Sequence, residues 1–335
     1  MQLYLDSFGA FLAVRNGAFW VRLREAGERA FAVRQVDAIL LTRGTAMSAD
    51  ALLLAVEHDV PVLLIDAHTH RPLAQVFAGR PGNIATVRKQ QALFAMQAQG
   101  MAWVAATVAR KIDRQRAHLR ALAADPEAPD DWRADTRLID TGLASLQAGF
   151  ERWQAPADWT SAAQQQAAQT FRGQEGTASR LYFQHLSRRL SGRLAFDGRS
   201  KRPAYDPFNA LLNYLYGMLY TQTHLALLKS GLDPYLGVLH VDQHGDRPTL
   251  VFDFIEPFRP WAETVATALV LEGLVDDTLF EENSPEEGFL LSRRGKDVVI
   301  GRMLAYLQAP APYGGRQVKR GVQIDLEAQG MAARM

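Results

Sequence analysis

Cysteine is missing altogether from the 335 residues. Its absence excludes disulfides, cysteine-ligated zinc, iron–sulfur clusters and a thiolate nucleophile, and it agrees with a reducing cytoplasm, the expected location. Also missing is any run of 18 apolar residues, so no membrane span is expected. The opening stretch, MQLYLDSFGAFLAV, has no basic segment ahead of an apolar one and does not read as a secretory signal. Net charge is scarce too: 37 Lys and Arg against 36 Asp and Glu leave +1, which by itself points to no partner. Hydrophobic residues at 48% and charged residues at 22% are ordinary for a globular chain that buries a sizeable core.

What is present is segregated charge. Between Ala85 and Arg120 stand seven basic residues and one acid, Asp113. Between Arg172 and Arg202 stand eight basic residues against Glu175 and Asp197. The stretch from Glu272 to Glu287 holds seven acids and no base. A basic middle attracts a polyanion even when the total is near zero, although two solvated arginine-rich helix faces give the same pattern.

The first eighty residues read as β. QLYLD, FLAVRN, FWVRL, RAFAV, DAILLT, PVLLID and PLAQVF are short, β-branched or aromatic, and separated by polar turns. One helix is inserted, capped by Ser48 and running to about His58. Gly79, Pro81, Gly82 and Asn83 then form a breaker cluster that marks a boundary. Beyond it the periodicity is helical. One long helix is expected over 85–124, broken near Gly100. Further helices are expected at about 131–154, 159–170, 174–191, 206–230, 259–275 and 291–308. VLHVDQHGDRPTLVFDF reads as a β-hairpin or paired extended arms. The fold class is therefore α+β: a small N-terminal β domain (1–80), a linker (81–84) and a larger all-α domain (85–335).

Three stretches carry candidate chemistry. In FRGQEGTASRLYF, Glu175 sits between two glycines at an apparent helix start, where an acid serves the helix dipole. Glu175, Ser179 and Tyr182 share one face of that helix, with Arg180 beside it. In LHVDQHGDRPTLVFDFIEPFRP, Asp253 and Glu256 lie in an apolar segment, where carboxylates need a partner, a hydrogen bond or a metal. Glu175, His240 and Glu256 together would make an oxygen-and-imidazole site suited to Mg²⁺ or Mn²⁺. The simpler alternatives are a helix cap at Glu175 and a carboxylate pair held by Arg259. In RSKRPAYDPFNALLNYLYG, Asp206 and Pro207 start a helix carrying Asn209, Asn213 and Tyr216, with Lys201 and Arg202 placed to meet phosphate. Asp66-Ala67-His68-Thr69-His70 reads as a polar turn rather than a zinc motif. His240-x-Asp242-x-His244 stays open as one. Tyr182 as a recombinase-type nucleophile would need Arg and His gathered around it.

These segments, in this order, resemble the CRISPR-associated integrase family, the catalytic subunit of spacer acquisition. The matching stretches are Arg172–Phe183, Arg202–Tyr214, and Gly231–His240 leading to Asp253–Pro260. LYLDSFGAFLAV and DAILLTRGTAMSADALLLAVEHDVPVLLID resemble the family's β domain. The resemblance implies a single-metal site on Glu175, His240 and Glu256, with Asp253 as a supporting acid and Mg²⁺ or Mn²⁺ as the ion. It implies a homodimer formed through the β domains. It also implies a complex in which a dimer of a small second adaptation subunit bridges two integrase dimers. The implied activity is metal-dependent endonuclease and integrase chemistry on double-stranded DNA, with Arg88, Lys89, Arg180, Tyr182, Arg188, Arg189, Lys201 and Arg202 as DNA contacts. The competing readings are a DNA-binding scaffold and a repair nuclease that cuts without joining.

Overall fold

The computed structural model describes residues 1–23, 27–76, 84–200, 203–240, 247–281 and 288–335. The expected linker falls almost wholly outside them, as do Lys201, Arg202, Asp242 and His244.

Eight strands and one helix make the N-terminal part: β1 (Gln2–Leu5), β2 (Phe11–Arg15), β3 (Ala18–Leu23), β4 (Gly27–Phe31), β5 (Ala38–Leu41), β6 (Ala46–Met47), α1 (Ala49–Glu57), β7 (Val62–Ile65) and β8 (Pro72–Val76). They form two sheets, ordered β1-β5-β7-β8 and β4-β3-β2-β6. Ser48 caps α1, its side chain accepting from Ala51 N at 3.1 Å, a contact worth about 1 kcal/mol.

Helices fill the rest: α2 (Ile84–Met96), α3 (Ala98–Ala123), α4 (Asp130–Glu151), α5 (Ser161–Leu190), α6 (Pro207–Lys229), α7 (Thr249–Phe254), a 3-10 turn (Glu256–Phe258), α8 (Arg259–Leu271), α9 (Arg293–Gln308) and α10 (Arg320–Ala332). The expected break near Gly100 is an 81° bend between α2 and α3. A Cβ on Gly100 would strike the Phe94 carbonyl, so only glycine allows this turn. Among the described residues no single helix is long and apolar enough to cross a membrane.

Three expectations change. Residues 159–170 and 174–191 form one helix, α5, capped by Thr160. Glu175 is therefore mid-helix and caps nothing. The extended reading of VLHVDQHGDRPTLVFDF fails for its second half, where Pro248 opens α7 and the apolar residues bury as a helix turn. A hairpin, β9 (Pro310–Tyr313) with β10 (Arg316–Lys319), adds a small sheet to the helical part.

Strand periodicity explains how the two parts meet. Along β5, Ile39 and Leu41 join Leu3, Leu5 and Val62 in a core with Leu12 and Phe19 of the other sheet and Ala51 and Ala55 of α1. The alternate residues Ala38 and Leu40 face the other way, with Leu63 and Ile65, and pack on Leu225 of α6. The same helix approaches the turn after β7 so closely that a Cβ on Gly217 would collide with the Thr69 carbonyl. Helix α6 thus has β structure on one side and helices on the other, and nearly all of it is buried.

Candidate active site

A cleft of about 560 Å³ opens where α3, α5, α6, His240 and the stretch from Glu256 to Glu263 converge. Glu175, His240 and Glu256 all line it, as do Lys111, Arg180 and Arg199. The three residues expected to form a site, 81 positions apart at the extremes, therefore share one wall-to-wall space.

Each is aimed by its own element. On α5, Phe171, Ala178 and Tyr182 are buried, and Glu175 sits on the flank between them, with Ser179 one turn on. Ser179 Oγ donates to Glu175 Oε1 at 2.7 Å. Gly176 also lines the cleft, and a Cβ there would meet nothing. A glycine in mid-helix costs about 1 kcal/mol and leaves backbone open to close approach. Arg172 Nη1 donates to the Leu239 carbonyl at 3.1 Å, tying α5 to the chain just before His240.

Asp253 is almost fully buried and supports His240. Its Oδ2 accepts from the backbone N–H groups of Val238 and Leu239 at 2.7 and 2.9 Å. Its Oδ1 lies 2.5 Å from His240 Nδ1. A carboxylate on one ring nitrogen fixes the imidazole's orientation and leaves Nε2 as the nitrogen available to the cleft.

The acids are held by cations. Lys111 Nζ, on the buried face of α3, donates to Glu175 Oε1 and, at 2.6 Å, to Glu256 Oε2. Arg259 Nε lies 2.8 Å from Glu256 Oε1. Burial alone would raise the Glu175 carboxyl, but the Lys111 ammonium and the Ser179 hydroxyl hold it down to about 2. Burial likewise opposes charge on Lys111, and Glu256 and Glu175 outweigh it, raising the ammonium above its ordinary value. Deeper still, Glu263 is fully buried; Tyr216 donates to its Oε1 at 2.8 Å, and burial pushes its carboxyl up.

Two carboxylates and an imidazole are the donor set of a hard or borderline divalent ion, and their chemistry fits one here. As placed, no three acid or imidazole groups among the described residues meet at one point, because the Lys111 ammonium stands between Glu175 and Glu256.

The expected DNA contacts divide. Arg180 is exposed on the cleft wall and Lys89 is exposed on α2. Arg88 lies 3.9 Å from Asp233. Arg188 pairs with Asp135 at 2.6 Å, toward α4. Two expectations are corrected. Arg189 is buried against Asp125 at 2.7 Å. Tyr182 is fully buried, its hydroxyl 2.7 Å from His118 Nδ1, so it meets neither DNA nor a scissile phosphate. Both follow from α5 being inside the helical core on that face. The polar-turn reading of Asp66–His70 holds, with Asp66 Oδ1 accepting from the His68 and Thr69 N–H groups at 3.0 and 2.7 Å.

Sequence reading passed over Lys111 and Arg199. Lys111 follows Val104 and Val108 at helical spacing, so a lysine falls on an apolar stripe; that was its signal. Arg199 donates to Asn209 Oδ1 at 2.8 Å and Asn213 Oδ1 at 2.6 Å and lies over the Tyr216 ring at 5.2 Å. Neutral amides hold it, and no carboxylate among the described residues forms a salt bridge with it.

The chain is similar to known proteins along most of its length. The family model for CRISPR associated protein Cas1 matches residues 3–304. A CRISPR-associated endonuclease Cas1 of Archaeoglobus fulgidus is 27% identical, over 99% of this chain and 96% of that protein. One from Pyrobaculum aerophilum is 30% identical, over 85% of this chain and 88% of its own. Among solved structures, a CAS1 protein from Thermotoga maritima superposes with a TM-score of 0.75 at 18% identity, over 100% of this chain and 96% of that one. A Cas6-RT-Cas1–Cas2 complex gives 0.76 at 22% identity, over 99% of this chain and 34% of that one. These likenesses extend across both the β and the helical parts.

Proposed function

The chain belongs to the CRISPR associated protein Cas1 family, and from that premise we propose that it is a divalent-metal-dependent DNA endonuclease and integrase that inserts spacers into a CRISPR array. The observation that carries this reading is the convergence of Glu175, His240 and Glu256 on one cation-rich cleft, with His240 oriented by Asp253.

The reaction is a phosphoryl transfer. A 3′-hydroxyl of an incoming DNA fragment attacks a phosphodiester at a repeat boundary. One P–O bond forms, one breaks, and the displaced strand leaves with its own 3′-hydroxyl, so no external energy source is needed. Water in place of the hydroxyl gives nicking. Glu175, Glu256 and His240 Nε2 would hold Mg²⁺ or Mn²⁺, which when bound supplies Lewis-acid stabilisation of the phosphoryl oxygens and acidifies the attacking hydroxyl. Asp253 keeps the imidazole in place. Arg180 and Arg199 present guanidinium groups to the phosphate backbone. Tyr182 takes no part, and no covalent enzyme–DNA intermediate arises.

The partners in this reading are double-stranded DNA, a second copy of the chain docked through the β region, and a small second adaptation subunit of the Cas2 type, as in the Cas1–Cas2 complex of similar fold. The setting is the cytoplasm.

The test is strand joining. A labelled duplex with free 3′-hydroxyls is mixed with supercoiled plasmid, with and without Mn²⁺, using the parent protein and Glu175→Ala. Metal-dependent joining by the parent alone is expected. DNA binding without joining, with the second subunit and a repeat-bearing target supplied, would favour a scaffold. Cutting without joining would favour a repair nuclease.

A further inference from the structure

We propose that Lys111 is a resident counter-cation that holds the site's two glutamates together before the divalent ion arrives and yields them to it, moving to Glu263. This rests on the metal reading above and deepens it.

The starting position is explicit. One ammonium, with 6% of its side chain exposed, bridges Glu175 and Glu256. A buried carboxylate, Glu256, and a partly buried one, Glu175, facing each other without a cation repel and pay a desolvation cost. A cation between them turns the repulsion into attraction and offsets part of the desolvation cost, so Lys111 keeps the ligand pair assembled in the absence of metal.

That position cannot survive unchanged. Both oxygens of Glu256 are already engaged, Oε2 by Lys111 and Oε1 by Arg259. A divalent ion bound between the glutamates would stand within a few ångströms of the lysine's charge. Like charges at such range repel strongly where water is excluded. The ion and the ammonium therefore compete for the same oxygens.

A second seat is at hand. Glu263 lines the same cleft, is fully buried, and interacts electrostatically with Lys111. Tyr216 satisfies its Oε1 and the Tyr182 hydroxyl also favours the charged carboxyl, but its Oε2 has no donor in good hydrogen-bond geometry among the described residues. A buried acceptor without a donor is costly. Lys111, on a flexible four-carbon stem, supplies that donor when it swings away from the ligand pair. Lysine suits this better than arginine, whose planar fork would bridge the two glutamates more rigidly.

The experiment is Mn²⁺ binding by calorimetry, with thermal melts in chelator and in Mn²⁺, for the parent, Lys111→Met and Glu263→Gln. Removing the competing charge in Lys111→Met is expected to tighten Mn²⁺ binding by about tenfold or more. The same variant should melt lower in chelator and gain more from Mn²⁺ than the parent does. Glu263→Gln removes the second seat and should weaken Mn²⁺ binding. Unchanged or weaker binding in Lys111→Met would overturn the proposal while leaving the metal site intact. No binding by the parent would overturn both. Should Lys111→Met fail to fold, a crystal structure of the parent with Mn²⁺ decides the matter. Lys111 Nζ on Glu263 supports the exchange, and Lys111 Nζ still bridging Glu175 and Glu256 beside a bound ion refutes it.

Discussion

The β region and the helical region bury different kinds of side chain. Among the described residues up to Val76, the buried polar groups are Thr42 and His70. From Ile84 onward they include Lys111, His118, Arg189, Asp253, Glu256 and Glu263. Buried charge lowers stability unless it is paired, and a pair is often no better than an apolar replacement. The β region, free of that burden, is built by strand alternation and apolar packing. The helical region tolerates ionic groups in its interior, and several of them face one cleft. Where a fold carries such costs, chemistry is the reason to look for.

This contrast can be broken at four levels. Leu12→Ala, in the fully buried β core, is expected to cost about 2–5 kcal/mol in denaturant unfolding and to leave joining per folded molecule unchanged. A loss of specific activity would show that the β region shares in the chemistry. Asp253→Asn should reverse the pattern, with joining reduced about tenfold to a hundredfold through a misdirected His240. Single-turnover rates on a pre-bound duplex check this, and parental rates would remove Asp253 from the site.

Acid sharpens the contrast further. Burial lowers His70, His118 and His224 to about 4 from 6.5. A folded value below the unfolded one means the stabilisation is present above pH 6.5. It is lost as pH falls from 6.5 toward 4. Each of the three contributes up to about 1.4 kcal/mol per pH unit across that window. Calorimetric melts should therefore fall steeply there, and less steeply in His118→Phe; a flat profile contradicts the burial account. The smallest effect concerns surface charge. Arg188→Ala should cost at most about 1 kcal/mol and leave DNA affinity alone. Arg180→Ala should weaken DNA binding and make its salt dependence shallower by about one released ion. Equal salt slopes for the two would erase the distinction drawn between them.

Much of this was legible in the sequence, and the gaps have physical causes. The strands were readable because short β-branched or aromatic runs between polar turns are a local signal, and Ser48 and Asp206 marked helix starts by cap chemistry alone. The α2–α3 break was readable from Gly100. The run through Gly173 and Gly176 was not, since two glycines within four residues argue against a helix and only tertiary packing of Phe171, Ala178 and Tyr182 holds α5 together. The turn from Pro248 into α7 was misread because short apolar runs suit a strand or a helix equally. At the site, Glu175, His240 and Glu256 were found through motif order, but which cations would hold them was not. Lys111 is 64 residues from Glu175 and 145 from Glu256, and nothing local marks such a pairing beyond a lysine on an apolar stripe. Arg189 and Tyr182 were assigned to DNA because charge and aromaticity alone cannot tell the inner face of α5 from its outer one.

The most direct test of the central claim is to titrate Mn²⁺ into the parent protein and into His240→Ala, following heat and bound-ion stoichiometry, with circular dichroism to confirm that both are folded. The account predicts one ion per chain in the parent and its loss, or at least about tenfold weaker binding, in the variant. Equal binding by the two folded proteins would contradict it, and the cleft would then be a structural ion-pair network rather than a metal centre.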